Sequence, residues 1–338
     1  MIKSAIQKIQ NKDNLSEKEI TVVMETLMSG QAAENDIRDF LVALNKKGPT
    51  VQEITAAAKI MRRFCQPLEN SHEVILDTCG TGGDNSNTFN ISTVVALVVA
   101  ACDVVVAKHG NRSVSSRCGS ADILEGLGVN LEIEQTHVAR CLDEIGIAFL
   151  FAPKFHPAMK HVANVRKALG VKTIFNILGP LTNPAGATHQ MMGVYSRDLV
   201  EPLAFVLKDL GLKRALIVHG SDGLDEITTT GKTYVGEFNG DEVISYDLDP
   251  EEFGIQRATM SELRGGDLAT NIQIIDYILA GKRSAARDIV VVNAAYALYT
   301  AQAVDRITDG IYRAHDALDS GLAKKKLKQL KDFTQNVG

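Results

Sequence analysis

The sequence predicts an α/β protein in which a small helical N-terminal domain packs on a larger α/β domain with a mostly parallel central sheet. Three observations carry this. Residues 1–66 are patterned as helix throughout. Beyond Pro67, short apolar runs alternate with helix-length segments, the signature of parallel strands joined by right-handed crossovers. At 338 residues the chain also has the length of about two domains.

Ser16-x-x-Glu19 and Thr50-x-x-Glu53 are capping boxes, in which a hydroxyl and a carboxylate satisfy the orphan amides of a helix start. Between them Ile37, Phe40, Leu41 and Leu44 recur at i, i+3, i+4 and i+7, one apolar stripe. Gly30 and Gly48-Pro49 separate the helices. Residues 73–77 then read as a strand entering a Gly-rich turn, with an apolar helix from about Asn90. Residues 104–107 form the next strand, followed by a polar loop. Residues 121–127 and 136–145 are helical and stop at Gly128 and Gly146. Further strands fall at 148–151, 190–195 and 215–219. Residues 232–238 and 242–246 make a hairpin around Asn239-Gly240, a pair that suits the two positive φ angles of a type I′ turn. Residues 267–333 are mostly helix. No internal repeat or low-complexity linker interrupts the chain, so closely packed domains are expected.

Composition narrows the function. Hydrophobic residues at 45% and charged residues at 23% fit an ordinary globular protein with a sizeable core. No apolar run approaches membrane-spanning length, and the first residues show no secretory signal. The five cysteines are scattered without a C-x-x-C, which fits a reducing, cytoplasmic setting and argues against disulfides or zinc. A net charge of −5 argues against broad nucleic-acid binding. The lysine-rich run at 324–331 reads as the solvated face of a helix.

Four segments carry chemistry. In Asp77-Thr78-Cys79-Gly80-Thr81-Gly82-Gly83-Asp84 the glycines let backbone amides approach an anion, though a tight strand-to-helix turn explains them equally well. It is neither a P-loop nor a dinucleotide fingerprint. Ser86, Thr88, Asn90, Ser92 and Thr93 add donors at the following helix start and shift the weight toward phosphate. Lys108-His109-Gly110-Asn111-Arg112-Ser113-Val114-Ser115-Ser116 follows a strand end and combines cations with hydroxyl and amide donors, a second anion loop. Ser120 reads as the cap of the next helix. Asp225-Glu226 sits in a surface loop after a strand. Alone it is an ordinary acidic turn; beside two phosphate loops it suits magnesium shared with a substrate's phosphates. Arg166, near a helix end, suits a substrate carboxylate, although most helix-terminal arginines face solvent. No nucleophile elbow or histidine metal spacing is present.

Taken with Gly119-Ser120-Ala121-Asp122 and residues 176–184, these motifs closely resemble the anthranilate phosphoribosyltransferase family over nearly the whole chain. The resemblance implies a helical domain of residues 1–66 joined by about 165–182, and an α/β domain of 67–164 and 183–338, with the active site in the hinge. It implies transfer of phosphoribosyl from 5-phosphoribosyl 1-diphosphate to the amine of anthranilate, in tryptophan biosynthesis. The donor would be held by Gly80, Gly83, Asp84, Thr88, Asn90, Ile91, Ser92, Thr93, Lys108, His109, Gly110, Asn111, Arg112, Ser113, Val114, Ser115, Ser116 and Ser120. Anthranilate would meet Gly80, Asn111 and Arg166. Ser92, Asp225 and Glu226 would hold Mg2+, two ions with the diphosphate, and the chain would form a homodimer. Ser113 and Cys118 replace the family's usual alanine and serine, both small changes. No residue is implied as a nucleophile. The alternatives on the same fold are a pyrimidine-nucleoside phosphorylase, which leaves Asp225-Glu226 unexplained, and a nucleic-acid binder, which the net charge disfavours.

Overall fold

The structure, a computed structural model, describes residues 1–84, 86–112 and 118–337. The chain opens with helices α1 (Ile2–Gln10), α2 (Glu17–Met28), α3 (Glu34–Lys47) and α4 (Val51–Arg63). Both capping boxes form: Ser16 and Thr50 accept the N–H of Glu19 and Glu53, and each glutamate accepts its cap's N–H at 2.8 Å. Glu53 does more than cap. Fully buried, it also accepts from Leu15 N at 2.9 Å and Lys47 Nζ at 2.8 Å, tying α3 and α4 to the segment that leads into α2.

The sheet is built from β1 (Leu76–Gly80), β2 (Val106–Gly110), β3 (Ile147–Phe151), β4 (His189–Gly193), β5 (Arg214–Gly220), β6 (Thr233–Phe238) and β7 (Val243–Leu248). Its order is β3-β2-β1-β4-β5-β6-β7. The first five strands are parallel and the last two form an antiparallel hairpin. That hairpin corrects the expected turn. Phe238 pairs with Val243, leaving a four-residue loop in which Gly240 has φ 110° and Asn239 does not take a positive φ. The Asn239 side chain instead accepts from Asp241 N and Glu242 N, both at 3.0 Å, an Asx turn that leaves Asn239 no need of the left-handed region.

The crossovers are α5 (Ile91–Ala101), α6 (Ser120–Gly126), α7 (Gln135–Ile145), α8 (Ala152–Phe155), α9 (Lys160–Leu169), α10 (Ile174–Leu178) and α11 (Val200–Asp209). The chain ends in α12 (Leu268–Leu279), α13 (Ala285–Thr300), α14 (Ile307–Asp319) and α15 (Leu322–Asn336). Strand alternation divides the core by face. Met191, Leu216 and Val218 join α5 and α13 on one side, while Met192, Ala215 and Ile217 join α11 and the N-terminal helices on the other. Between β3 and β4 the chain returns to those helices: α9 packs on α2 and α3, and α10 on α3 and α4. No described helix is long and apolar enough to cross a membrane.

Candidate active site

The chain leaves β1 toward β2 on one side, and the β3–β4 crossover lands on the other, so a topological switch point lies between β1 and β4. Ligands of open α/β sheets bind at the carboxyl ends of the strands there. The two polar strand ends show why these residues are held so firmly. β1 runs past the expected stop at Asp77 because Asp77 is wholly buried and accepts His109 N at 3.2 Å, while the Thr78 hydroxyl donates to Ser92 O at 3.2 Å. β2 likewise runs through Lys108 and His109, both buried.

The Gly-rich loop after β1 is pinned on each flank. Thr81 N donates to Gly193 O at 2.9 Å, Tyr195 N donates to the Thr81 hydroxyl at 3.0 Å, and Gly82 N donates to Asp225 Oδ2 at 3.0 Å. Gly82 and Gly83 take φ of 62° and 76°, which explains their identity. Gly193 is required for a different reason: a Cβ there would stand 1.5 Å from Asp225 O.

Asp225 and Glu226 are half-buried rather than on the surface. Glu226 Oε1 accepts Ser92 N at 3.1 Å, placing an anion on the positive end of α5. Burial first, then Asp84, pushes the Asp225 carboxyl well above its ordinary range; burial and then Asp225 do the same to Glu226. Asp84, Asp225 and Glu226 lie near enough to raise one another's charge cost, although among the described residues no three acidic side chains converge on one point. Hard oxygen donors of this kind, with the Ser92 hydroxyl beside them, fit Mg2+ completed by substrate phosphate and water. Lys108 Nζ donates to Thr78 O at 2.5 Å and to Ser92 Oγ at 3.1 Å, and its charge acts on Glu226. Burial pulls its pKa down, against the opposing pull of Asp77, Cys79 and Glu226.

The facing wall comes from α8 to α10 and the turn beyond. Arg166, in the last turn of α9, lies with its guanidinium 5.3 Å from the centre of the Phe175 ring. His109 and His156 sit with ring centroids 5.0 Å apart, each with Nε2 unpartnered among the described residues. Burial holds both neutral, His109 pulled down to about 3 and His156 to about 4.

Every described residue named by the resemblance lines one cleft of roughly 690 Å³: Gly80, Gly83, Asp84, Thr88, Asn90, Ile91, Ser92, Thr93, Lys108, His109, Gly110, Asn111, Arg112, Ser120, Arg166, Asp225 and Glu226. Ser113, Val114, Ser115 and Ser116 lie outside the described residues. One expectation changes. Gly119, not Ser120, caps α6; the Ser120 hydroxyl donates to Asn111 O at 3.5 Å instead. The Arg112 guanidinium, at the edge of the cleft, donates to Glu125 at 2.7 Å and Asp122 at 3.1 Å on α6.

Sequence reasoning missed three residues. His156 borders the cleft inside a Phe-His-Pro stretch that reads as a helix start. Asn293, fully buried on α13, accepts Ile227 N at 2.9 Å and donates to Ile227 O at 2.8 Å, gripping the backbone next to Glu226. Lys172, between α9 and α10, holds its Nζ 3.6 Å from the centre of the Tyr195 ring, and its charge acts on Asp84 and Asp225. None of the three sits in a motif; only proximity in space reveals them.

Residues 72–324 match the model of the glycosyl transferase family α/β domain, and residues 3–65 match its helical bundle domain. The anthranilate phosphoribosyltransferase of Acetivibrio thermocellus is 49% identical, with 99% of this chain and 97% of that protein covered. The enzyme of that name from Citrifermentans bemidjiense is 50% identical over the full length of both. Among solved structures, the anthranilate phosphoribosyltransferase of Thermus thermophilus superposes with TM-score 0.93 at 42% identity, covering 98% of this chain and 99% of that one. The Saccharomyces cerevisiae enzyme in complex with PRPP and Mg gives 0.90 at 29% identity, covering 99% and 98%.

Proposed function

The chain belongs to the anthranilate phosphoribosyltransferase family, and from that premise we propose that the cleft at the β1–β4 switch point is its active site. The enzyme transfers phosphoribosyl from 5-phosphoribosyl 1-diphosphate to the amine of anthranilate, giving N-(5-phosphoribosyl)anthranilate and diphosphate, a step of tryptophan biosynthesis. It uses Mg2+. Full-length identity of about half to enzymes of this activity disposes of the phosphorylase and nucleic-acid alternatives.

In our reading Gly80, Gly83, Asp84, Thr88, residues 90–93 and 108–116, and Ser120 hold the donor, Gly80, Asn111 and Arg166 meet anthranilate, and Ser92, Asp225 and Glu226 hold the metal, two ions with the diphosphate. Magnesium supplies charge neutralisation of the leaving diphosphate. The protein supplies the rest. The Gly82 and Ser92 amides fix the two carboxylates, and Lys108 fixes Ser92. Arg166 makes no hydrogen bond or ion pair among the described residues and stands ready for the anthranilate carboxylate. Residues 1–66 with 165–182 form one domain and 67–164 with 183–338 the other, a division supported by the packing of α9 and α10 on α2, α3 and α4. A homodimer goes with this reading.

The observation that carries it is the meeting of an acidic, amide-lined wall with a cationic, apolar wall in one cleft. The test is turnover of anthranilate and donor with and without added magnesium, with sedimentation for the dimer. Inversion at the ribose C1 carbon is expected, because the amine displaces diphosphate with no enzyme nucleophile. A ribosyl-enzyme adduct seen by intact mass with donor alone would overturn it.

A further inference from the structure

Lys172 stands next to Gly83 at the border of the cleft, without itself lining it. It lies between α9 and α10, which pack on the N-terminal helices, yet its stem lies against the Gly-rich loop of the sheet: a Cβ at Gly83 would stand 2.9 Å from Lys172 Cε. The end of the lysine stem thus fills the space that a side chain at position 83 would take. The residue is half-buried, and among the described residues its ammonium makes no hydrogen bond and no ion pair. It rests on the face of Tyr195, 3.6 Å from the ring centre. A cation–π contact orients a lysine but satisfies none of its three N–H donors. The carboxylates whose field it feels are Asp84 and Asp225.

Resting on the reading of this cleft as the phosphoribosyl-donor site, we propose that Lys172 is a substrate-binding residue that reaches into the cleft and donates to the diphosphate of the donor. It leaves the Tyr195 ring as the diphosphate arrives. When the C1–O bond breaks and the bonding pair goes to the diphosphate oxygen, the added charge forms beneath this ammonium. The binding contact also links the two walls, so it draws the helical side onto the loaded donor.

The test uses the full chain with magnesium diphosphate as probe in isothermal calorimetry, alongside steady-state kinetics and melting curves. Wild type is measured first; its failure to bind magnesium diphosphate would sink the site reading itself, not only this inference. Lys172→Met keeps the stem and removes the charge. It is expected to weaken magnesium diphosphate about tenfold and to raise the KM for the donor by a similar factor, with the KM for anthranilate unchanged. Lys172→Arg restores most of the loss. Tyr195→Leu removes only the resting place and is expected to bind the probe as well as wild type or better. If Lys172→Met binds the probe like wild type, or raises both KM values equally, the inference fails. It also fails if Tyr195→Leu loses as much affinity as Lys172→Met, since packing of the loop would then be the cause.

Discussion

Arg166 and the Asp225–Glu226 pair state opposite electrostatic problems. The arginine is a half-buried cation without an acidic partner among the described residues, and the acids are half-buried anions crowded by Asp84. Arg166→Ala is expected to raise the KM for anthranilate roughly thirtyfold, the loss of a charge-assisted bidentate pair, while that for the donor barely moves. Steady-state kinetics with each substrate varied in turn decide it; equal rises would make Arg166 a hinge residue. Asp225→Asn combined with Glu226→Gln should cut kcat/KM by on the order of a hundredfold or more. Its melting temperature should equal or exceed that of wild type, because neutral isosteres remove charges the fold holds at a cost. A folded double variant with wild-type turnover would remove the magnesium assignment.

At the scale of elements, the sequence revealed what is local. The capping boxes of α2 and α4, the stripe on α3 and the alternation of strand and helix are all set by neighbours within a few residues. The ends of β1 and β2 lie beyond the expected stops because Asp77, Lys108 and His109 look like loop residues. Their burial is made tolerable by partners such as Ser92, which lies 16 positions from Lys108. Asn293 shows the same limit at greater range, lying 66 positions from the backbone it holds. Asn293→Leu would leave the Ile227 N–H and C=O buried without those partners, at a cost of about 3 kcal/mol. Urea titration reads that cost. The folded fraction should also need more magnesium for half-maximal rate, since Glu226 precedes Ile227 directly; an unchanged magnesium requirement would confine Asn293 to the core.

For the molecule as a whole, buried titratable groups set how stability changes with pH. His109 and His156 are held near 3 and 4 in the fold against an ordinary 6.5. Their contribution is complete above about pH 6.5 and is lost as pH falls toward 4, because the unfolded chain takes up protons that the folded one refuses. Asp77, raised by burial from 3.8 to about 6, works the other way and costs stability as pH rises through that interval. Replacing one histidine isolates its share. His156→Gln should show a shallower loss of unfolding free energy between pH 6.5 and 4 than wild type, by urea titration at each pH. Parallel curves would show that His156 titrates normally.

The return of α9 and α10 to the first four helices also imposes an order on synthesis. α4 is complete at Arg63, but α9 does not begin until Lys160. At about 5–20 residues per second, the N-terminal helices leave the ribosome on the order of 5–20 s before the segments that cover them. Through that interval Ile37, Phe40, Leu41 and Leu44 lack Val165, Ile174 and Phe175, with which they share a core in the finished protein. The nascent bundle is thus a temporary client for whatever shields apolar surface at the tunnel exit, and translation speed through residues 64–178 sets how long it must be shielded.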